Sequence, residues 1–146
     1  MIRRYGDFPQ PERNYSFRPG AYGVLLRGTE ALLTFQRTPE PEFQLPGGGI
    51  DPGESPIAAL HREVMEETGW RIATPRLIGQ FRRFVFMPDY DIWAEKLCSI
   101  YLARPVACMG PPSEPDHSAI WMPVELALET VAGEGNRDFL ARALGR

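Results

Sequence analysis

Apolar residues recur at alternate positions in several short segments of the chain, which is the pattern of half-buried β-strands. Two of these segments flank a Gly28-Thr29 pair and predict a hairpin. Two longer segments, rich in aromatic and β-branched residues, predict two long strands of the same sheet. The predicted extended segments are 21–27, 31–36, 43–46, 77–87, 92–106 and 120–122.

Apolar spacing and capping residues predict three helices. The first has the clearest signals: Ser55 is a favourable N-cap, Pro56 suits the first turn and Gly69 is a stop signal. The other two are predicted over 124–131 and, with Asn136 as the cap, over 136–144. Strands and helices do not alternate regularly, so we expect an α+β domain rather than a repeated βαβ fold.

The first nineteen residues contain three prolines and no sustained periodicity. We therefore predict an arm over 1–19 that lies on the domain without forming a regular element, and a single domain over 20–146. No segment approaches the roughly 18 apolar residues of a membrane span, and the start of the chain lacks the apolar block of a secretory signal. These observations predict a soluble, cytoplasmic protein with no membrane partner.

The composition is that of an ordinary globular domain, with 146 residues of which 43% are hydrophobic and 24% charged. Sixteen basic and nineteen acidic side chains give a net charge of −3, so no overall basic field attracts a nucleic-acid backbone. We expect no stable nucleic-acid partner. A polyphosphate substrate would have to be met by a local site that a cation assists.

Three carboxylates share one face of the first predicted helix. On a wheel of about 100° per residue, Glu63, Glu66 and Glu67 lie together and border the apolar stripe. Like charges at this spacing repel each other, and partial burial increases the repulsion. Oxygen ligands without His or Cys suit a hard cation such as Mg²⁺ or Mn²⁺. The residues alone fit two interpretations, a divalent-cation site and a solvated acidic helix face.

The acidic helix belongs to a longer pattern, Gly48-x5-Glu54-x7-Arg62-Glu63-Val64-x-Glu66-Glu67-x-Gly69-Trp70. This pattern resembles the Nudix box. It differs only at Trp70, where the family usually has an aliphatic residue and this chain has another bulky apolar one. Two further segments extend the resemblance over most of the chain, Leu45-Pro46-Gly47-Gly48 and Trp121-Met122-Pro123. The resemblance implies a Nudix-type α/β/α sandwich with a mixed central sheet and a loop–helix–loop catalytic motif.

The resemblance also implies an enzyme, a pyrophosphohydrolase that cleaves a nucleoside diphosphate linked to another moiety by attack of water on a polyphosphate phosphorus. A nucleotide-binding regulatory module without turnover is the alternative, although three crowded carboxylates favour the enzyme. The expected partner is a small nucleotide or nucleotide derivative, and the resemblance leaves room for a homodimer.

Individual roles follow from matching this sequence to the family's motif. The resemblance implies that Arg62 and Glu54 hold the loop–helix–loop in shape. It implies that Mg²⁺ or Mn²⁺ is bound by Glu63, Glu66, Glu67 and the carbonyl of Gly47.

The general base is open to several acids, because some family members use a glutamate of the box and others use an acid on the loop before the tryptophan-containing strand. The candidates are Glu63, Glu114, Asp116 and Glu95. We favour Glu114 for its reach. Arg37 and Arg82 are candidates for binding phosphate oxygens. Arg82 and Arg83 point to opposite sides of a predicted strand, so at most one of them can face the site.

Overall fold

Eight strands and three helices follow one another in a computed structural model that describes residues 2–146. The strands are β1 (Arg3–Tyr5), β2 (Ser16–Arg27), β3 (Glu30–Gln36), β4 (Glu42–Gln44), β5 (Gly47–Gly49), β6 (Trp70–Met87), β7 (Ile92–Cys108) and β8 (His117–Pro123). The helices are α1 (Pro56–Thr68), α2 (Val124–Thr130) and α3 (Glu134–Ala143). The predicted α+β class is confirmed.

The sheet is mixed, with the strand order β1-β6-β7-β2-β3-β4, and β5 and β8 pair with β2 and β3. Strand β2 connects its two halves. Residues 16–25 of β2 run parallel to β7, whereas residues 26–27 pair antiparallel with β3. Strand β5 adds to the same β2 at residues 20–22, which places the glycine-rich segment at the centre of the fold.

Successive side chains of a strand point to opposite sides of the sheet. Neighbouring apolar residues of β2 and β3 therefore make both faces apolar, and helices cover both of them. On one face, Leu25 and Leu32 pack against α1 through Leu60. On the other face, Val24 and Leu33 belong to a core to which α2 and α3 contribute. The two separate cores confirm the α/β/α sandwich that the sequence predicts.

Helix α1 begins and ends where the sequence predicts. The hydroxyl of Ser55 accepts a hydrogen bond of 3.1 Å from the main-chain nitrogen of Ala58. Gly69 ends the helix in the left-handed conformation, with φ of 77°. The two caps fix the position of the acidic face relative to the sheet. None of the helices within residues 2–146 is long and apolar enough to cross a membrane.

The N-terminal segment is more regular than predicted. Residues 3–5 form β1 beside β6, and β2 begins at Ser16 rather than at residue 21. The expectation of an arm without regular structure is therefore wrong for residues 3–5 and 16–19. The reason is long-range pairing, because residues 16–19 lie beside residues 94–97 of β7.

Two boundaries further along the chain also differ from the prediction. Strand β6 begins at Trp70 and passes Pro75, since a register shift between Ala73 and Arg76 leaves the proline out of the regular ladder. Helix α3 begins at Glu134 with Gly133 as its N-cap, so the prediction that Asn136 caps it is wrong. The Asn136 amide instead donates to the carbonyl of Ala132 at 3.0 Å.

Candidate active site

A cleft of ≈ 440 Å³ opens beside α1 where β5 crosses β2. Its lining combines acidic and basic side chains. The acids are Glu63, Glu67 and Glu114, and the bases are Arg18 and Lys96. The backbone of the Gly47–Gly49 segment completes the lining between them. The structure therefore brings two acids of the predicted metal set and the favoured general base into one cavity.

Glu67 is the most buried acid of the cleft, with 7% of its surface exposed. Its Oε1 accepts a hydrogen bond of 3.0 Å from the main-chain nitrogen of Gly47. Burial raises the pKa of Glu67 to about 8, the Gly47 bond lowers it, and the charges of Glu63 and Glu114 raise it further. The carboxyl therefore holds its proton near neutral pH until a positive charge is placed beside it.

The glycine-rich segment allows β5 to lie against both β2 and α1. Gly47 has φ of 149°, and a Cβ there would overlap the carbonyl oxygen of Ala21. A Cβ on Gly48 would lie 2.6 Å from the carboxyl carbon of Glu63. Larger residues would therefore separate the loop from the acidic helix.

Arg62 links the loop before α1 to the acids on it. Its Nε and Nη2 each donate to one oxygen of Glu54 at 2.8 Å. Its Nη1 donates to Glu63 Oε1 at 2.8 Å and to Glu66 Oε1 at 3.4 Å. The Arg62 hydrogen bonds lower the pKa of Glu54 to about 2, and Glu54 in turn raises the pKa of Arg62. The geometry is that expected for a pair that holds the loop–helix–loop in shape.

The donor set fits a hard divalent cation. The oxygens of Glu63, Glu66 and Glu67 and the carbonyl of Gly47 would hold it, and all of these donors are hard. Burial raises the pKa of Glu63 as well as that of Glu67, so a cation would offset an unfavourable concentration of buried acids. Within residues 2–146, no three His, Cys, Asp or Glu side chains are already grouped as metal ligands. Arg62 engages one oxygen each of Glu63 and Glu66, so a cation would compete with it.

The loop between β7 and β8 is attached to α1 through the backbone. The main-chain nitrogens of Ser113 and Glu114 both donate to the carbonyl of Glu66, at 2.9 and 2.8 Å. This carbonyl lies in the last turn of α1, where helix carbonyls lack intrahelical partners. The attachment places the exposed side chain of Glu114 in the cleft, close enough that its charge raises the pKa of Glu67.

Asp116, on the same loop, lies elsewhere. Its Oδ2 accepts a hydrogen bond of 2.7 Å from the hydroxyl of Thr38, and its Oδ1 is 3.7 Å from Nε of Arg37. The sequence predicted Arg37 as a phosphate ligand, but the structure does not bring it to the cleft because Asp116 holds it at an exposed loop.

Arg82 and Glu95 also lie outside the cleft, on the face of β6 and β7 that points away from it. They pair with each other at 3.6 Å. Strand pairing therefore places Arg82, which the sequence predicted as a substrate ligand, away from the cleft, because its neighbour Arg83 lies opposite Lys96 and faces inward. The same geometry places the candidate base Glu95 outside the cleft.

The basic residues of the cleft were missed at the level of sequence. Lys96 is half-buried, and its Nζ lies 5.8 Å from the centre of the Tyr22 ring. The interaction with Tyr22 raises the pKa of Lys96, so the lysine is protonated at neutral pH. Alternation along β7 carried a signal for it, because Lys96 shares its face with the buried residues Ala94 and Cys98. Arg18 had no such signal, since it lies in the part of β2 that was predicted to belong to the irregular arm.

A second pocket of ≈ 320 Å³ adjoins the cleft. The two cavities share Tyr22, Gln36, Gly47 and Lys96. The second pocket is further lined by polar side chains that include Gln44, Arg83 and Asn136. Amide groups both donate and accept hydrogen bonds, so this pocket offers polar recognition next to the acids.

Comparison with known proteins agrees with this geometry. The family model for the NUDIX domain matches residues 16–143. The chain belongs to the Nudix family of hydrolases. The predicted Nudix box from Gly48 to Trp70 is thereby confirmed.

One curated relative of this Nudix chain is the "Putative 8-oxo-dGTP diphosphatase" of Bacillus subtilis (strain 168). It is 35% identical over 77 residues, which are 53% of this chain and 52% of that protein. The chain thus spans about half the length of the curated relative that it matches.

Solved structures share the Nudix fold over most of the chain. The NUDIX hydrolase from Nitrosomonas europaea has a TM-score of 0.70 and 20% identity, covering 90% of this chain and 92% of its own. The MutT protein from Bacillus halodurans has a TM-score of 0.72 and 23% identity, with coverage of 88% and 83%. At these identities the likeness establishes the fold.

Proposed function

We propose that this Nudix chain is a divalent-cation-dependent pyrophosphohydrolase that cleaves a nucleoside diphosphate linked to another moiety. Water attacks a phosphorus of the polyphosphate. The observation that supports this proposal is the convergence of three acids, Glu63, Glu67 and Glu114, on a cleft that also contains Arg18 and Lys96. Acids and bases in one cavity suit a cation that is bridged to an anionic substrate.

The acidic side of the cleft would hold the cation. When bound, Mg²⁺ or Mn²⁺ neutralises charge on the phosphoryl oxygens and lowers the pKa of the attacking water. Glu63, Glu66 and Glu67 would bind it together with the Gly47 carbonyl. Arg62 keeps the helix and its preceding loop in register through Glu54.

The proton of the attacking water needs an acceptor. We assign this role to Glu114, whose exposed side chain can turn toward a substrate in the cleft while its backbone stays bonded to Glu66. Glu63 is the alternative base. Its carboxylate lines the same cleft, but one of its oxygens is already engaged by Arg62.

The basic residues and the adjoining pocket would bind the rest of the substrate. Lys96 and Arg18 offer positive charge to phosphate oxygens. The amides of Gln36, Gln44 and Asn136 suit the donors and acceptors of a nucleoside. The name of the Bacillus subtilis relative makes 8-oxo-dGTP the first compound to test.

The decisive experiment measures product release from a panel that contains 8-oxo-dGTP, unmodified nucleoside triphosphates, nucleotide sugars and dinucleoside polyphosphates. Chromatography of the nucleotide products reports cleavage of every member of the panel. We expect turnover of at least one compound with Mg²⁺, and its loss both in excess chelator and in Glu67→Gln. Saturable binding without turnover across the panel would instead favour the regulatory module.

A further inference from the structure

Two residues outside the Nudix box contact Glu67 without lining the cleft. Thr34 of β3 is fully buried, and His117 is the first residue of β8. The Thr34 hydroxyl donates to the backbone carbonyl of Glu67 at 3.3 Å and lies 2.8 Å from Nδ1 of His117. The same Nδ1 is 3.9 Å from Oε2 of Glu67.

We assign the direction of the bonds in this group from its hydrogen count. A threonine hydroxyl has one proton to donate. The Glu67 carbonyl lies at the end of α1, and leaving it without a donor in a buried place would be costly. Thr34 therefore donates to Glu67, and the short contact to His117 is satisfied when Nδ1 carries a hydrogen and donates to Thr34.

This arrangement holds both ends of Glu67. The hydroxyl of Thr34 donates to its backbone carbonyl, the Gly47 nitrogen donates to Oε1 at 3.0 Å, and Nδ1 of His117, which donates to Thr34, lies 3.9 Å from Oε2. Partners of this kind around a ligand fix its orientation and influence metal affinity.

We propose that Thr34 and His117 are positioning residues that orient the Glu67 carboxylate for the divalent cation. The inference rests on the proposed role of Glu67 as a metal ligand. Neither residue lines the cleft, so we place their action on Glu67. A merely structural Thr34–His117 pair joining β3 to β8 would affect folding and leave the metal affinity of the folded protein unchanged.

Matched variants separate the two roles. His117→Leu removes the N–H, whereas His117→Asn keeps a nitrogen donor at nearly the same distance from the backbone. Thr34→Val removes the hydroxyl with little change of shape, whereas Thr34→Ser keeps it. Glu67→Gln is the reference for loss of the ligand itself.

The test is a Mn²⁺ titration of each metal-free variant, with free Mn²⁺ measured by electron paramagnetic resonance and folding checked by thermal unfolding. We expect His117→Leu and Thr34→Val to weaken Mn²⁺ binding by about 10-fold or more, as removal of such partners typically does. His117→Asn and Thr34→Ser should bind nearly as tightly as the wild type.

Three results would overturn the inference. Unchanged Mn²⁺ affinity in folded His117→Leu would remove His117 from the metal site while leaving the proposed function intact. Equal weakening in His117→Leu and His117→Asn would show that the N–H donor has no role. Wild-type affinity in Glu67→Gln would overturn the ligand role of Glu67, and the inference with it. If Thr34→Val does not fold, Thr34→Ser and the two His117 variants decide the matter.

Discussion

Gly47 and Glu67 are joined by a hydrogen bond of 3.0 Å between the main-chain nitrogen of the glycine and a carboxyl oxygen of the glutamate. The bond connects the glycine-rich strand to the acidic helix. It favours the ionised carboxylate, but burial acts more strongly in the opposite direction and leaves the pKa of Glu67 at about 8. The buried carboxyl of Glu67 therefore lacks a positive charge close enough to keep it ionised, which a bound cation would supply.

Replacement of Glu67 by glutamine should abolish most of the activity without unfolding the protein. The variant keeps the side-chain volume and an acceptor for the Gly47 bond but removes a metal ligand, so we expect kcat to fall by about 100-fold. Glu66→Gln should behave similarly. Steady-state kinetics at saturating Mg²⁺ and a melting curve check this prediction, and near-normal rates in both variants would contradict the metal assignment.

The raised pKa of Glu67 predicts a pH dependence of folding stability in the metal-free protein. The carboxyl has an ordinary pKa of 4.5 and a folded-state pKa of about 8, so between these values the folded state binds more protons than the unfolded state. The free energy of unfolding should therefore decrease as pH rises through this window. Urea denaturation in the presence of chelator, at several pH values, should show this decrease in the wild type and a weaker one in Glu67→Gln. If the free energy of unfolding has the same pH dependence in the wild type and in Glu67→Gln, the raised pKa does not belong to Glu67.

Glu114 should act in the transition state more than in substrate binding. We expect Glu114→Gln to lower kcat by about 10²-fold or more with little change in KM. Asp116→Asn is the matched control, because Asp116 lies on the same loop but is bonded to Thr38 away from the cleft. If Glu114→Gln turns over at the wild-type rate while Glu63→Gln is severely impaired, the base is Glu63.

Lys96 and Glu95 are adjacent in sequence and lie on opposite faces of β7. Lys96→Met should raise KM for a polyphosphate substrate by about 10-fold, because a charged hydrogen-bond donor is lost from the cleft. Glu95→Gln should leave KM unchanged, since it breaks only the partly exposed pair with Arg82. Kinetics of the two variants on one confirmed substrate test the assignment, and equal effects would refute it.

Gly48 and Gly49 provide a further comparison within β5. Gly48→Ala would place a methyl group 2.6 Å from the carboxyl carbon of Glu63 and should displace this acid. A Cβ on Gly49 meets no atom within 4 Å, and alanine retains the carbonyl that accepts from Arg62. We expect the activity of Gly48→Ala to fall by about 10-fold or more, which is the typical effect of removing a residue that supports a metal ligand. Gly49→Ala should remain close to the wild type, and a reversal of this order would argue against the described packing.

The parts of the fold that the sequence predicted correctly depend on local signals. Ser55 and Gly69 mark the ends of α1 within the helix's own sequence, and the structure uses both as caps. The first residues of β2 depend on β7, which follows more than 70 residues later in the chain. The local pattern of apolar residues does not depend on so distant a partner, so it does not predict a strand over residues 16–19.

Some residues of the candidate site can likewise be predicted from local spacing, whereas others require knowledge of long-range strand pairing. Helical spacing alone places Glu63 and Glu67 on one face, and both line the cleft. The choice between Arg82 and Arg83 required the register of β6 on β7, in which Arg83 lies opposite Lys96. The two-residue repeat of a strand predicts that the two arginines lie on opposite faces of the sheet. It does not predict which of the two faces lines the cleft.

The two hydrogen bonds from the β7–β8 loop to Glu66 are made entirely by the main chain. Any residue except proline can supply such an N–H at positions 113 and 114. Mutations can therefore change the side chains of this loop without detaching it from α1. The backbone fixes the position of residue 114, whereas its side chain can change. Such an attachment would allow one acid at position 114 to be exchanged for another without moving the loop.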